Sequence, residues 1–439
     1  MRSCCAATFL LLTLAACSPD SIGGTPALPA GLSDPNAMNT PRGAVIVYRG
    51  TRQLFGIAFS DYVVAAGLIT DELQPNSVGA PPGPSPSRPL DARELPQGVG
   101  AESDPVYGEL SKVRGQAQQA IGLLARFAPD SVSLRAYVYT LDGYAELMLN
   151  ELFCSGVPLS TLDYSGDFTY RPASSTDSVY EHAIAMFDSA ATSSGDSTQI
   201  LNLARVGKAR ALLGLGKFAE ATQIAATVPD GFSFEVVYPK ANNSTTGLGD
   251  PQFGLTVSDR EGINGLDYRS SGDPRTATIR SGVNTYGLPL YHAEKYGSDG
   301  LSPILLADWI EARLIQAEGA LHAAPNDTTS QGTGWLGMLN HLRETGISPG
   351  LPDTTDPGTF DARVNLLYRE RAFWLFLTGH RQGDMRRLVR QHNRNQNWVY
   401  PTGPYDAGGS YYGTDVTAPI PSAERKYNPV FMGCLNRGA

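Results

Sequence analysis

The chain of 439 residues has little positive charge, little cysteine and little histidine. Its 34 Lys and Arg stand against 43 Asp and Glu, and the resulting formal charge of -9 repels phosphate backbones and anionic lipid surfaces. Five cysteines and six histidines form no CxxC motif, no Cys/His cluster and no H-E-x-x-H motif. The sequence therefore argues against a nucleic-acid-binding protein, and it predicts neither a metal site nor a cofactor.

Catalytic signatures are equally scarce. The segment "GISPG" (346–350) matches G-x-S-x-G, but it follows a helical pattern and its proline supplies no N–H for an oxyanion hole. The segment "GTGWLG" (332–337) matches G-x-G-x-x-G, but the residues before it do not form a strand pattern, so it predicts the start of a helix. We expect no catalytic residue and no enzymatic activity.

Long apolar runs are missing from the amino terminus, where the stretch Ala6–Leu14 is too short to cross a bilayer. Followed by "LAAC" (14–17), it predicts a signal peptide over residues 1–16 and lipidation of Cys17. The alternative is an ordinary signal peptide with a chance cysteine. A Pro/Gly/Ser-rich stretch then predicts a flexible tether over residues 17–40. Because Ser18 and not Asp follows the lipidated cysteine, an outer-membrane destination is favoured.

Two cysteines remain after that cleavage, Cys154 and Cys434. An oxidising compartment permits one disulfide between them, and we predict that they pair. Two unrelated buried thiols are the alternative, because sequence does not supply the distance that decides the question.

Helical periodicity dominates the middle of the chain. Apolar residues recur every three or four positions in Leu134–Phe153, as one face of a helix requires. The segments "VYEHAIAMFDSA" and "GKFAEATQIAATVPD" share an aromatic-x-x-Ala core at a separation of about 38 residues, which is typical of tetratricopeptide helix pairs. The pattern predicts a mainly α fold with a tetratricopeptide-like scaffold around residues 115–229.

After Pro229 the pattern becomes irregular and rich in Gly, Asn and Tyr, which predicts long functional loops. Helices resume with an expected capping box at Asp308 and Glu311, followed by helices over 334–344 and 361–377. The arginine-rich stretch 368–390 reads as a single helix and its turn. Its charged residues are expected to pair with one another and to cross-link helices instead of binding ligand.

Taken in order, these landmarks resemble the SusD/RagB family of outer-membrane nutrient-binding lipoproteins. The motifs that carry the resemblance are "LAAC", "AGLITDEL", "SLRAYVYTLDGYAELMLNELFCSGVPLS", "DPR", "EKY", "ADWIEARLIQAEGAL", "LNHLRETGI", "ERAFWLFLTGHRQGDMRRL" and "APIPSAERKYNP". The resemblance implies one SusD-like domain over 41–439, with a carboxy-terminal portion from about 265. It also implies a cell-surface protein that binds an oligosaccharide or peptide and delivers it to a SusC-like TonB-dependent transporter.

Aromatic residues on the irregular loops are the candidate ligand contacts, because Tyr and Trp stack on sugar rings and extended peptides while their polar tips stay wet. They are Tyr268, Tyr286, Tyr291, Trp398, Tyr405, Tyr411 and Tyr412. The stretch 74–104, where glycan-binding members of that family often carry an aromatic, has none, so glycan and peptide both remain open. A scaffold lipoprotein in envelope assembly and a secreted hydrolase are the alternative functions.

Overall fold

The computed structural model describes residues 38–77, 87–95, 103–238, 248, 254–297, 301–405 and 409–439. The predicted signal peptide, Cys17 and most of the predicted tether lie outside the described residues.

Helices make up most of the described chain, as the sequence predicts. In chain order they are α1 (Pro41–Ile69), α2 (Arg88–Asp91), α3 (Ser103–Phe127), α4 (Val132–Leu152), α5 (Thr176–Ser193), α6 (Thr198–Gly214), α7 (Phe218–Ala225), α8 (Trp309–Ala323), α9 (Trp335–Thr345), α10 (Phe360–Trp374), α11 (Arg381–His392), α12 (Gln396–Val399) and α13 (Ser422–Tyr427). The helix start expected at 332–337 is confirmed by α9.

Consecutive helices from α3 to α7 pack against one another, and α1 packs against α3 and α4. Close approach depends on small residues: a Cβ at Gly207 would lie 2.4 Å from the Phe187 ring, and one at Gly214 would lie 2.4 Å from the Tyr180 ring. The glycines of α6 therefore let the aromatics of α5 fill the space between the two helices. The mainly α fold with a tetratricopeptide-like scaffold is confirmed, and its bounds around 115–229 stay a prediction.

Helix α1 is long and apolar enough to cross a membrane by length and composition alone. In this protein 67% of its most apolar window is buried, and Phe55, Phe59 and Tyr62 belong to the main hydrophobic core. It serves as a core helix of the folded body.

Short strands lie in the segments between the helices and form antiparallel pairs. The strands are β1 (Leu73–Pro75), β2 (Thr161–Leu162), β3 (Phe168–Thr169), β4 (Ser233–Val236), β5 (Leu255–Val257), β6 (Thr278–Val283), β7 (Pro289–Ala293) and β8 (Ile304–Asp308). In the described residues β1 pairs with β5, β2 with β3, β4 with β8, and β6 with β7. Pairing with β1 and β8 ties the irregular middle of the chain to elements that adjoin α1 and α8.

The capping box at the start of α8 is half confirmed. The Asp308 side chain accepts a hydrogen bond from the Glu311 backbone N–H at 2.7 Å. The Glu311 carboxylate does not return to the cap. It is buried, with Oε1 lying 3.2 Å from Nε2 of His380. The Glu311 carboxylate thus lies against the His380 imidazole inside the protein and not at the start of the helix.

The arginine-rich stretch forms two helices, so the predicted single helix over this stretch is wrong, and α10 ends at Trp374 before the predicted Leu377. The chain turns at Leu377 (φ 50°) and Gly379 (φ 81°), both in the left-handed region. A Cβ at Gly379 would lie 2.7 Å from the Tyr62 ring, so glycine suits this position for both space and backbone. The break directs α11 back across α1 and α4.

Buried ion pairs hold these helices together, and the scaffolding interpretation of the arginine-rich stretch is confirmed. Asp384 of α11 accepts from Arg371 Nε at 2.8 Å and from Arg387 at 2.8 Å, and Arg387 also pairs with Glu318 of α8. We call Glu318, Arg371, Asp384 and Arg387 the buried ion-pair cluster. Burial alone would raise the pKa of Asp384, but the two guanidiniums lower it well below its ordinary value.

Arg381, next to this cluster, has a different partner. Its Nε donates to Asp71 at 2.8 Å and its Nη2 donates to the same carboxylate at 3.0 Å, both inside the protein. Asp71 lies just after α1, so this bidentate pair joins the amino-terminal helix to α11.

Cys154 and Cys434 form a disulfide across 280 positions of sequence, which confirms the predicted pairing. Cys154 is fully buried just after α4. The bond ties the carboxy-terminal tail to the helical scaffold, where Leu435 N also donates to Ser155 O at 2.7 Å.

Candidate ligand-binding site

The seven aromatic residues predicted to contact ligand lie in three different places. Tyr268 is completely buried and stacks on Phe373 and Phe376, with ring centroids 5.5 and 4.9 Å away. Its hydroxyl donates to Asp71 at 3.3 Å. Tyr268 is therefore a core residue with no surface to offer a ligand, and the sequence could not distinguish it from the loop tyrosines.

Tyr286 and Tyr291 belong to the hairpin of β6 and β7. Tyr286 lies at the hairpin turn and is 53% exposed. Tyr291 is half-buried beneath the Arg269 guanidinium, which lies 4.1 Å from the ring centroid. A cation over its face leaves Tyr291 only part of its surface for stacking.

Trp398, Tyr405, Tyr411 and Tyr412 come together on the segment that follows α11. Trp398 is 78% exposed and Tyr411 is 66% exposed, whereas Tyr405 and Tyr412 are half-buried. The rings of Tyr405 and Tyr412 meet edge to face at a centroid distance of 5.0 Å. This segment gathers more of the predicted residues than either other location.

A buried arginine organises this segment. Arg93 is completely buried, and its guanidinium donates to the Pro401 carbonyl at 2.6 Å and to the Asp415 carbonyl at 2.8 Å. The same group lies 4.9 Å from the ring centroid of Tyr400, which is also buried. One side chain thus clamps both ends of the loop that carries the tyrosines, because a guanidinium presents several donors in one plane.

Asn264 joins this loop to a second loop, which contains Gly262 and packs beside it. The Asn264 side chain donates to the Tyr400 carbonyl at 2.8 Å and accepts from the Thr402 N–H at 3.2 Å. The two backbones approach so closely that a Cβ at Gly262 would lie 2.5 Å from the Thr402 carbonyl oxygen. Gly262 also has φ 58°, so this contact depends on glycine.

Two buried carboxyl groups anchor the tyrosines from below. Tyr412 donates to Glu261 at 3.0 Å, and Tyr405 donates to Asp91 at 2.6 Å. Burial, and next the charge of Asp91, raise the pKa of Glu261 well above its ordinary value. Burial and Glu261 likewise raise the pKa of Tyr412, which therefore remains a neutral phenol at physiological pH.

Trp398 stands between two clefts. One has a volume of about 500 Å³ and is lined by Ile263, Asn264, Asn397, Trp398, Thr402, Gly403, Tyr412, Gly413 and Thr414. The other has a volume of about 240 Å³ and is lined by Asn264, Leu266, Asn365, Tyr368, Arg369, Arg381, Leu388, Arg394, Trp398 and Val399. We call the first the amide cleft and the second the arginine cleft; Trp398 and Asn264 line both.

The lining of the amide cleft suits a neutral, hydroxyl-rich ligand. Its described residues offer the exposed indole of Trp398, amide groups and threonine hydroxyls, and none of these residues is charged. Amides and hydroxyls both donate and accept hydrogen bonds, which matches sugar hydroxyls or peptide groups. A rigid aromatic with a few placed polar groups is the usual composition of a binding site.

Sequence reasoning missed several residues of this region. Ile263 is 77% exposed beside Trp398, and Asn264 and Arg93 build the site from distant positions. Periodicity carries no signal for such loop residues. A separate aromatic surface was not predicted from the sequence either. There Phe168 and Tyr170 are exposed, with ring centroids 4.8 Å apart.

Solved structures resemble this chain over most of its length. A SusD superfamily protein from Parabacteroides distasonis superposes with a TM-score of 0.67 and 14% identity, covering 89% of this chain and 98% of that one. A SusD superfamily protein from Bacteroides vulgatus gives 0.64 and 15%, covering 91% and 100%. A SusD-like carbohydrate binding protein from the same species gives 0.63 and 12%, covering 90% and 97%.

The chain has the SusD-like fold. The resemblance carried by the sequence motifs is thus confirmed in three dimensions, although identities of 12–15% speak for the fold alone. No protein-family model and no curated protein sequence matches the chain.

Proposed function

We propose that the protein is a cell-surface lipoprotein that captures oligosaccharides and delivers them to a SusC-like TonB-dependent outer-membrane transporter. The observation that carries the proposal is the position of Trp398, which is 78% exposed on a ridge between two clefts. The carbohydrate-binding neighbour of the same fold supports a glycan over a peptide.

Binding follows from the lining of the amide cleft. A sugar ring stacks its apolar face on Trp398, while Asn264, Asn397 and Thr402 exchange hydrogen bonds with its hydroxyls. Arg93 and Gly262 hold the loop before ligand arrives, so little conformational entropy is lost on binding. Tyr411 extends the aromatic surface, and Tyr286 belongs to a separate hairpin that contacts a longer oligomer only secondarily.

Capture is proposed to proceed without chemical change. Among the described residues that line the amide cleft there is no carboxylate and no imidazole to serve as the acid and base of a hydrolysis. Release to the transporter then requires no covalent step.

The envelope-scaffold alternative gains no support from the packing. Tetratricopeptide arrays bind partners through open helical faces, but here α8 packs on α6 and α7, and α11 packs on α4. The carboxy-terminal half therefore occupies surfaces that a scaffold would keep open.

A glycan library screened by calorimetry, with chromatography of the recovered ligand, tests the binding function. We expect an oligosaccharide to bind and to be recovered intact, and Trp398→Ala to weaken binding by about tenfold or more, since truncating a central aromatic contact costs about 2 kcal/mol or more. Phe168→Ala, on the separate aromatic surface, is the matched control and should bind normally. Ligand turnover, or binding by extended peptides alone, would contradict the proposal.

Anchoring and delivery have their own tests. Cys17→Ala should move the protein from the membrane fraction to the soluble fraction, because two acyl chains supply the stable attachment. A Cys17→Ala protein that still labels with fatty acid would refute the lipoprotein assignment.

Delivery is tested by co-purification. A TonB-dependent transporter should co-purify with the native chain from detergent-solubilised membranes.

A further inference from the structure

Two histidines and a glutamate converge at the carboxy-terminal ends of α8 and α11. They are Glu318 and His322, four residues apart on α8, and His392, the last residue of α11. One ligand-capable atom from each of the three lies within 4.8 Å of the others. The four-residue spacing places Glu318 and His322 on one face of α8, and α11 supplies the third group from the opposite side.

Three polar atoms in this cluster are buried without a partner. Oε2 of Glu318, Nε2 of His322 and Nε2 of His392 have no hydrogen-bond partner among the described residues, and Glu318 is completely buried. Buried polar atoms are normally paired, so three unpaired ones at one place call for a ligand. Each can donate an electron pair to a metal ion.

The surroundings hold all three side chains in place. Oε1 of Glu318 accepts from Tyr368 at 2.9 Å and pairs with Arg387, which leaves Oε2 directed elsewhere. The His322 ring stacks on Phe218 at a centroid distance of 3.6 Å, and the His392 ring meets Tyr368 edge-on at 5.5 Å. Orientation of ligand side chains by such neighbours is typical of metal sites.

We propose that Glu318, His322 and His392 form a binding site for a divalent transition metal, zinc in the first place. Two imidazoles and one carboxylate are a ligand set that zinc accepts, with a fourth position left for water. Tetrahedral zinc with bonds of about 2.0–2.2 Å places its ligand atoms about 3.4 Å apart, so groups that lie within 4.8 Å of one another need to approach by at most about 1.4 Å.

The charges around the cluster also fit the proposal. The positive charge of Arg387 is already paired with Glu318 and with Asp384. The metal would join the end of α11 to α8, beside the buried ion-pair cluster, and its role is structural.

The sequence could not reveal this site. Glu318 and His322 form an E-x-x-x-H pair with no recognised motif, and His392 follows 70 positions later. The proposal departs from the prediction of no metal site, because here the fold and not the sequence spacing brings the three groups together.

Zinc binding by the full-length chain tests the proposal directly. The protein is prepared without a polyhistidine tag, stripped with a chelator, and titrated with Zn²⁺ by calorimetry. We expect His322→Phe, which keeps the stacking ring, and His392→Gln to bind one equivalent less than the wild type or to bind it at least tenfold more weakly. His341→Ala, on α9 outside the cluster, should behave as the wild type does. Thiols near the amino terminus contribute equally to all four proteins.

Cobalt provides a second readout that does not depend on the variants folding well. Co²⁺ added to the stripped wild type should give the intense visible absorption bands of a tetrahedral site, and zinc should displace them. Zinc should also raise the melting temperature of the wild type and of His341→Ala, but not of the two ligand variants. Equal metal binding by all four proteins, or a wild type that shows neither cobalt bands nor stabilisation by zinc, would overturn the proposal.

Discussion

The buried ion-pair cluster and the Trp398 ridge occupy neighbouring parts of the same chain, yet they differ in almost every physical respect. The cluster lies on α8, α10 and α11, is charged and buried, and has its charges paired. The ridge follows α11 by a few residues, is exposed, and borders a cleft whose described lining residues are uncharged. The arginines of the stretch 368–390 join helices to one another. The surface suited to a ligand lies instead on the segment around Trp398, which has no recognisable sequence motif.

Removing the centre of the cluster should have the largest effect on stability. Asp384→Ala leaves Arg371 and Arg387 buried with fewer partners, so we expect the free energy of unfolding to fall by about 3–5 kcal/mol. Chemical denaturation measures this, and glycan affinity should stay unchanged. Asp361→Ala, which removes an exposed partner of Arg394, is the matched control and should cost less than about 1 kcal/mol. An Asp384→Ala protein with wild-type stability and no glycan binding would show that the ion-pair cluster, and not the Trp398 ridge, serves the ligand.

The disulfide comes next. Replacing Cys154 and Cys434 together by alanine releases a closed loop of 280 residues, and we expect a loss of about 2–4 kcal/mol. Denaturation with and without reductant measures it: reductant should destabilise the wild type and leave the double variant unaffected. Thiol titration of residues 38–439, unfolded without reductant, checks the bond itself. Two free thiols would show that Cys154 and Cys434 do not pair.

A smaller, pH-dependent effect is expected at Glu72, a buried carboxyl beside the joint between α1 and α11. Burial raises its pKa to about 8, although the Leu377 N–H donates to it. Between pH 4.5 and about 8 the folded state holds a proton that the unfolded state has lost, so wild-type stability falls as pH rises. Glu72→Gln removes this dependence and should be more stable than the wild type by at least about 1 kcal/mol at pH 8. Parallel pH profiles of the two proteins would contradict this assignment.

The smallest effect on stability belongs to the ridge itself. Tyr411 is 66% exposed, so Tyr411→Ala should change the free energy of unfolding by less than about 0.5 kcal/mol. Its effect should appear in glycan affinity, measured by calorimetry, as a loss of a few fold. Unchanged affinity with lowered stability would make Tyr411 a packing residue.

Most of the fold could be predicted from the sequence because the apolar spacing within a short segment is enough to indicate a helix. The spacing in Leu134–Phe153 predicts α4, and the small residues of α6 and α7 predict their close packing. The break between α10 and α11 was missed, since it depends on Tyr62 of a distant helix filling the space beside Gly379. Local pattern does not record such contacts.

The candidate site was less predictable for the same reason. Aromatic composition selected seven residues, of which four lie on the segment after α11, whereas Tyr268 lies in the core and Tyr291 lies under Arg269. Asn264 and Arg93 shape the site through backbone contacts across more than 130 positions of sequence, which neither periodicity nor motif reveals.

Quenching of tryptophan fluorescence tests the central claim most directly. All four tryptophans lie in described residues, and Trp398 is the exposed one, whereas Trp309 and Trp374 are half-buried and Trp335 is buried. Acrylamide should therefore quench a component of the wild-type emission that is missing from Trp398→Phe. Saturating glycan should protect that component in the wild type and change nothing in the variant. Glycan that binds the wild type while Trp398 stays fully quenchable would place the ligand elsewhere and contradict the account.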